Sequence, residues 1–383
     1  MDSIWLYFKE TIDNSMKKLY TLITFLVTIT ASAQIPAGYY NTATGSGYTL
    51  KTQLRKIIDN NSDGISGEHI AQDNGYNALY TTFMNSDKDF YFENNGTLLD
   101  MYSENPNGPD AYEYTYGVNQ DDGSGGTSEG QKYNREHIVP QAVFNGNSPM
   151  KNDAHFVVPS DKYMNAQRGD LPFGKVQTAN FTGSNGTKRG NNTNSGYSAG
   201  YTNTVYEPID EFKGDIARMY FYFVTRYETS LNGWTYDMFD GSTNKGFNQT
   251  FLNILYQWHV QDPVSQREID RNNAIYNAQN NRNPYIDNPS YVFNVWQSSL
   301  SVSDFEQQYA INLYPNPIEG NTLFIETNKA LKIEIYNVLG KKIQTSNVDA
   351  INNKVDVGFL YSGVYLIKMS SDSGTVTKKI IKK

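Results

Sequence analysis

The segment from Asn134 to Gly174 concentrates residues that could carry out metal and acid–base chemistry. Glu136 and His137 are adjacent, and Asn165 follows further along the segment. A hard divalent cation held by carboxylate and amide oxygens can clamp a phosphate and neutralise the leaving oxygen of a phosphodiester. A neutral imidazole can accept the proton of the attacking water. The residue types therefore indicate phosphodiester hydrolysis, with oxygen ligands from Glu136 and Asn165 and a base from His137.

The same residue types indicate the cofactor of such a site. Mg²⁺ is commonly held by one or two protein oxygens and several waters, so the implied cofactor is Mg²⁺, with Mn²⁺ or Ca²⁺ as alternatives. Cysteine is absent from the 383 residues, which excludes thiolate zinc sites, iron–sulfur clusters and disulfides. No H-E-x-x-H motif occurs, which disfavours a zinc protease. A metal site in this chain must therefore use oxygen and imidazole ligands.

Three short elements must bring these groups together. They are a strand over Glu136–Val139 that ends at Pro140, a strand over His155–Val158 that ends at Pro159, and a helix that begins at Ser160 and runs through Arg168. Neighbouring residues of a strand face opposite sides, so Glu136 and His137 share a site only where the strand kinks or ends. The order strand, loop, strand, helix defines a ββα unit.

The ordered motifs resemble the endonuclease I family of secreted bacterial nucleases, which have a His-Me finger (ββα-metal) active site. The resemblance covers roughly Ile35 to Val295. It rests on the motifs Arg135-Glu136-His137, Asp153-x-His155, Asn165-x-x-Arg168, Pro172-Phe173-Gly174, Glu207-Pro208, Lys213-Gly214-Asp215, Asp262-Pro263 and Asn281-Arg282-Asn283-Pro284.

This resemblance implies a role for individual residues and an activity for the chain. His137 would be the general base, and Glu136 and Asn165 would bind the divalent cation. The family cleaves DNA, and often RNA, with little sequence preference and leaves 5′-phosphate ends. The predicted function is therefore a secreted, metal-dependent, non-specific endonuclease that acts on DNA and also on RNA.

Three further residues are candidates for the catalytic set. Arg168 lies three residues after Asn165 on the same helix face and is predicted to contact phosphate, with an ion pair to Asp170 or a neighbour as the alternative. Arg135 is a second candidate phosphate contact. His155 is predicted to orient the site or touch phosphate, and a purely structural role is the alternative.

The start of the chain has the features of a targeting signal. Lys17-Lys18, an apolar run over 19–29 and Ala31-Ser32-Ala33 predict a signal peptide over residues 1–33, with Met16 as an alternative start. The apolar run is too short to span a membrane, and no later segment could span one. We therefore expect no stable membrane span and a mature chain that begins near residue 34.

The C-terminal part of the chain has a different pattern of polar and apolar residues. Residues 301–309 are polar and predict a linker, whereas residues 310–383 alternate apolar and polar side chains, which predicts a small antiparallel β-sandwich. The motifs Tyr314-Pro315-Asn316-Pro317 and Leu360-Tyr361-Ser362-Gly363 resemble the type IX secretion sorting domain of Bacteroidetes. That resemblance implies a secretion machinery as partner and an extracellular or cell-surface location.

Residues 34–300 would then form the nuclease domain. Within it, Glu211 to Tyr227 predicts a helix whose apolar residues occupy one face. The expected fold class is α+β, with an all-β region appended at the end.

The charge of the chain bears on its substrate. A net charge of −8 opposes nucleic-acid binding through a broad basic surface. The block from Arg135 to Arg226 nevertheless carries 10 basic against 8 acidic residues, which predicts a narrow basic cleft on an acidic body. Two rival functions remain open, namely an extracellular ribonuclease with the same site and a non-catalytic secreted binding protein. The intact set of Glu136, His137 and Asn165 argues against the second rival.

Overall fold

The computed structural model describes residues 35–65, 68–300, 311–338, 340–371 and 374–383. The predicted signal peptide and linker lie outside these residues. Before residue 300 the described chain mixes helices and strands, and after it the described chain forms strands, as predicted. No helix in the described part combines the length and the apolar character that a membrane crossing needs.

The elements are numbered here in chain order. The helices are α1 (Gly47–Ile58), α2 (Ala78–Ser86), α3 (Lys162–Arg168), α4 (Lys213–Arg226), α5 (Gln249–Gln261), α6 (Gln266–Gln279), α7 (Pro284–Asp287) and α8 (Ser290–Trp296). The strands are β1 (Tyr133–His137), β2 (Val157–Asp161), β3 (Val176–Thr182), β4 (Lys188–Asn192), β5 (Thr204–Glu207), β6 (Asn312–Tyr314), β7 (Thr322–Glu326), β8 (Leu331–Asn337), β9 (Lys342–Val348), β10 (Lys354–Asp356), β11 (Gly363–Ser371) and β12 (Gly374–Lys382).

The helix α4 forms the centre of the larger core. Every one of its 14 residues is buried, so the prediction of a single apolar face is too narrow. Helices α1, α5 and α7 pack against it, and its charged side chains are buried in pairs. For example, Arg218 donates to both carboxylate oxygens of Glu268 on α6. Such pairing is required because a buried charge without a partner is strongly destabilising.

Strands β1 and β2 form a two-stranded antiparallel ladder that leads directly into α3. The ladder pairs Arg135 with Pro159, so both strands differ from the predicted ranges and Pro159 lies inside β2 instead of ending it. Proline is tolerated there because each strand of a two-stranded sheet has one unpaired edge. Strand β1 ends at His137. Glu136 and His137 were expected to share a site only where the strand kinks or ends, and the structure meets this condition.

The residue that caps α3 also differs from the prediction. Asp161, and not Ser160, accepts a hydrogen bond from Met164 N at 2.8 Å. The other oxygen of Asp161 accepts from the Tyr114 hydroxyl at 2.5 Å and from Gly130 N at 2.8 Å. A carboxylate can satisfy these donors together, whereas a serine hydroxyl cannot. The cap therefore also ties the long segment before β1 to the ββα unit.

Asp153 is the main polar junction between the β1–β2 connection and the helices. Its side chain is buried and accepts hydrogen bonds from Arg226 Nη1 at 2.6 Å and from the hydroxyls of Tyr222 and Tyr227 at 3.0 and 2.8 Å. Its second oxygen accepts from Gln279 on α6 at 3.0 Å. Because Arg226 belongs to α4, this carboxylate fixes the start of β2 against the central helix.

The C-terminal region consists of two antiparallel sheets. Their strand orders are β10-β7-β6 and β12-β11-β8-β9. Apolar residues of both sheets, including Leu323, Ile335 and Ile367, form a core that shares no residue with the larger one. The predicted β-sandwich is therefore confirmed as an all-β region with its own core.

We predict that Asp153→Asn lowers the free energy of unfolding by about 3–5 kcal/mol, because it leaves the buried Arg226 cation without a countercharge. Urea denaturation followed by tryptophan fluorescence measures this change. The exposed Asp237→Asn is the matched control and should stay within about 0.5 kcal/mol of the unmodified protein. Equal stability of the two variants would contradict the role assigned to Asp153.

Candidate functional site

An open cleft lies where β1 ends beside α3. Glu136, His137 and Asn165, the three residues predicted for the metal and the base, all line it. Arg135 and Arg168 line it as well. Glu136 and His137 lie at the end of β1, and Asn165 lies on α3. The structure therefore brings together five of the six predicted site residues.

Asn165 is oriented by its neighbour on β1. Its Nδ2 donates to the side-chain oxygen of Asn134 at 2.9 Å. Because an amide nitrogen only donates, this contact leaves Oδ1 of Asn165 without a hydrogen-bond donor among the described residues. An amide oxygen of this kind is a suitable ligand for a hard cation.

Glu136 is almost completely buried, with an exposed fraction of 2%. Its Oε1 accepts hydrogen bonds from the Tyr102 hydroxyl at 3.0 Å and from Arg168 Nη1 at 3.2 Å. Burial raises the pKa of Glu136 to about 7, while Arg168 and the hydroxyl of Tyr102 act in the opposite direction. A cation bound beside this carboxylate would favour its charged form in the same way.

His137 has a defined proton position. Its Nε2 lies 3.0 Å from the carbonyl oxygen of Lys151. A carbonyl only accepts, so Nε2 carries the hydrogen and Nδ1 keeps the lone pair. Burial lowers the pKa of His137 to about 4. Hydrogen bonds with the backbone of Lys151 and Arg135 act in the opposite direction, and the charges of these two residues act in the same direction as burial. The imidazole is therefore neutral at pH 7 and able to accept a proton.

Arg168 lies in a network of internal contacts. Its side chain is 1% exposed, and Nη1 donates to Glu136 and to the His137 carbonyl at 2.8 Å, while Nη2 donates to the Ile138 carbonyl at 2.5 Å and to the Tyr220 hydroxyl at 3.1 Å. These four contacts use all four hydrogens of the two terminal nitrogens. These contacts fit the predicted alternative of an ion pair with a neighbour, here Glu136, and favour an internal role over a phosphate contact.

His155 is also internal and does not line the cleft. Its ring is 1% exposed, its Nε2 lies 3.0 Å from the Asn281 carbonyl, and its centroid lies 4.7 Å from that of Tyr222. Burial lowers the pKa of His155 to about 3. This geometry fits the structural alternative and not a contact with phosphate.

Arg135 lies at the edge of the cleft on an aromatic platform. The guanidinium carbon is 3.4 Å from the ring centre of Tyr76 and 4.3 Å from that of Tyr80. Nη1 donates to the Tyr76 carbonyl at 2.9 Å. The side chain is partly exposed and held in place, so it is available to an anion in the cleft.

The cleft is not basic in the way that the local charge count predicted. Its charged lining residues are Arg135 and Arg168 against Asp121, Glu136 and Asp170. The expectation was wrong because arginines of this block are buried in internal contacts, as Arg168 shows. The charged residues that line the cleft therefore do not by themselves form a basic surface for a polyanion.

Tyr102 and Asn134 were missed by the sequence reasoning. Asn134 immediately precedes the Arg135-Glu136-His137 motif, so its position was a usable signal. Tyr102 reaches Glu136 from a separate segment, and nothing in its local sequence distinguishes it from the other tyrosines of that segment.

Comparisons with known proteins match two parts of this chain to two families. Residues 46–290 match the family model described as endonuclease I, and residues 312–383 match the model described as a secretion system C-terminal sorting domain. The chain is 31% identical over 274 residues to an extracellular ribonuclease of Bacillus amyloliquefaciens, which covers 70% of this chain and 81% of the relative. It is 30% identical over 269 residues to an extracellular ribonuclease of Bacillus subtilis (strain 168), which covers 67% of this chain and 78% of the relative.

We predict that His137 in the metal-free protein titrates near pH 4, because burial disfavours its charged form. An NMR pH titration of histidine-labelled protein measures this, and the spectrum of His137→Ala assigns the signal. Between pH 8 and pH 5 the His137 resonances should hardly move. A midpoint near the ordinary value of about 6.5 would contradict the prediction.

Proposed function

This chain belongs to the endonuclease I family and is a secreted nuclease that hydrolyses phosphodiester bonds, and we propose that its active site is a His-Me finger formed by β1, β2 and α3. The sorting-domain match supports a secreted or cell-surface location and an interaction with a secretion machinery. The observation that carries the proposal is the convergence of Glu136, His137 and Asn165 on one cleft.

Members of this family are generally metal-dependent, and the donor set of the cleft fits a hard cation. We assign the ligands to Glu136 and to Oδ1 of Asn165, and we propose Mg²⁺ as the physiological ion. When bound, the ion would polarise the scissile phosphate and stabilise the leaving oxygen. Glu136 is held for this task by Tyr102 and Arg168, which both contact its Oε1.

His137 would act as the general base. Nδ1 carries the lone pair and takes the proton of a water that attacks the phosphorus from the cleft. The Lys151 carbonyl accepts from Nε2–H on the other side of the ring, so the ring keeps its tautomer. The same hydrogen bond stabilises the ring once it becomes charged. Its low pKa keeps the ring neutral and competent over a broad pH range.

Arg135 and Arg168 would have different roles. Arg135 would contact the phosphate, since its guanidinium lies at the cleft edge and is stacked on Tyr76. Arg168 is a positioning residue that acts through Glu136 and through the carbonyls of His137 and Ile138. The catalytic set is therefore smaller than the six residues predicted from the sequence.

Both DNA and RNA are proposed substrates, because the site would act on the phosphodiester backbone that they share. We propose DNA as a substrate from the family description and RNA from the names of the two Bacillus relatives. An enzyme that acts mainly on RNA remains the second candidate function, because those relatives are called ribonucleases. Residues 34–300 would form the catalytic domain, residues 301–309 the linker and residues 310–383 the sorting domain.

We predict that His137→Ala lowers the cleavage rate of plasmid DNA and of RNA by about 10²–10⁴-fold, because the general base is lost. EDTA should abolish cleavage by the unmodified protein, and added Mg²⁺ should restore it. The matched control is His69→Ala, a histidine that does not line the cleft. Cleavage that survives both EDTA and His137→Ala would refute the mechanism.

We predict that Tyr102→Phe raises the Mg²⁺ concentration needed for half-maximal cleavage by about 10-fold. Losing the hydroxyl removes a hydrogen bond that lowers the pKa of Glu136, so protons compete better with the cation. A Mg²⁺ titration of the cleavage rate at pH 7 measures the effect. Tyr206→Phe is a buried control whose ring lies 5.1 Å from that of Tyr102, and an equal effect in both variants would contradict the prediction.

A further inference from the structure

A second group of acidic side chains lies outside the catalytic cleft, in the connection between α2 and β1. It consists of Asp89, Glu93, Glu104, Asp110 and Glu113, and is called here the acid cluster. Carboxylate oxygens of Asp89, Glu93 and Glu104 lie within 4.8 Å of one another, and so do those of Glu93, Asp110 and Glu113. Glu93 belongs to both groups, so the five carboxylates form one continuous patch.

Glu104 has a buried carboxylate oxygen without a hydrogen-bond donor among the described residues. Its exposed fraction is 1%, and its Oε1 has no hydrogen-bond partner among the described residues. A buried carboxylate oxygen without a donor costs free energy in the absence of a compensating partner. Because its carboxylate is aimed into the group formed with Asp89 and Glu93, a partner located there would satisfy it.

The acid cluster also lacks a countercharge. Within the described chain, none of its five carboxylates forms an ion pair with a lysine, arginine or histidine. Burial, reinforced by the neighbouring carboxylates, raises the pKa of Glu104 to about 9, and burial raises that of Asp110 to about 7. Neutralisation therefore requires either bound protons or a bound cation.

Two of the five carboxylates, those of Asp89 and Asp110, accept hydrogen bonds from backbone amides. Asp89 accepts hydrogen bonds from the amides of Tyr91, Phe92 and Glu93 at 2.9–3.0 Å. Asp110 accepts from the Asn105 amide at 2.6 Å. Oδ1 of Asp89 accepts two of these hydrogen bonds, whereas Oδ2 of Asp89 and Oδ1 of Asp110 accept one each. These last two oxygens keep a further lone pair, so each can accept a hydrogen bond and ligate a cation at once.

We propose that Asp89, Glu93 and Glu104 bind a divalent cation of the Ca²⁺ type, with Asp110 and Glu113 completing its negative surroundings. All candidate ligands are oxygens, which favours a hard cation over zinc or copper. Ca²⁺ accepts six to eight oxygens in a flexible geometry, which suits a set of carboxylates from a loop. This site is independent of the proposed catalytic metal, because none of its residues lines the catalytic cleft.

A cation at the acid cluster would stabilise the segment that supports the catalytic carboxylate. The same segment carries Asp100, which accepts from the Asp161 amide at 2.8 Å, and Tyr102, which donates to Glu136. Asp89 lies before these two residues and Glu104 lies after them. Binding would therefore clamp both ends of the stretch that contacts the ββα unit.

The test uses the full chain stripped of metal and thermal unfolding at increasing Ca²⁺ concentration. The unmodified protein should melt about 5 °C higher when Ca²⁺ is at about 100 times its dissociation constant. Glu104→Gln should lose this rise and should melt about as high as the unmodified protein without Ca²⁺, because a carboxyl with a pKa of about 9 is already uncharged near pH 7. Glu93→Gln, with its less buried side chain, is a second variant that should also lose the rise.

Two controls separate this site from the catalytic one. Glu211→Gln makes the same chemical change at an exposed position and should keep the Ca²⁺ response. Asn165→Ala removes the ligand proposed for the cleft and should also keep the response, whatever it does to cleavage. Equilibrium dialysis should find one Ca²⁺ fewer on Glu104→Gln than on the unmodified protein. An equal Ca²⁺ response and equal stoichiometry in Glu104→Gln would mean that protons alone neutralise the acid cluster, and would overturn the proposal.

Discussion

The geometry of the cleft depends on one buried guanidinium. Arg168 leaves the last turn of α3 and contacts a carboxylate on β1, two backbone carbonyls at the end of that strand and the hydroxyl of Tyr220 on the central helix. Strand, helix and core are thus fixed by the same side chain. A lysine could not replace it, since only the planar fork of arginine offers several donors in fixed directions. Accurate placement of Glu136 follows from this interaction.

Sequence reasoning anticipated which residues meet at the cleft better than the contacts that support them. The adjacency of Glu136 and His137 and the downstream Asn165 sufficed to place all three at one cleft, because their roles depend on residue type and local order. Arg168 could not be assigned in this way. Its partner Tyr220 is distant in sequence, and helical spacing indicates the face a side chain starts from but not whether it turns inward.

Local patterns misjudged the elements for a related reason. Proline was taken as the end of β2, yet Pro159 lies within it because the ladder has only two strands. Serine was taken as the helix cap, yet Asp161 caps α3 because donors from Tyr114 and Gly130 also converge on it. The charge of the cleft was misjudged because a count of basic residues does not separate buried from exposed ones. In each case tertiary contacts decided between local alternatives.

The two separate apolar cores have a consequence for how this protein can change over time. Since the two cores share no side chain among the described residues, we expect a substitution in the core of the C-terminal sheets to leave the packing around α4 unchanged. The sequences of the sorting domain and of the nuclease domain could therefore diverge at different rates. The same sorting domain could also be joined to an unrelated protein without repacking of either core. The modular construction of exported proteins requires this kind of physical independence.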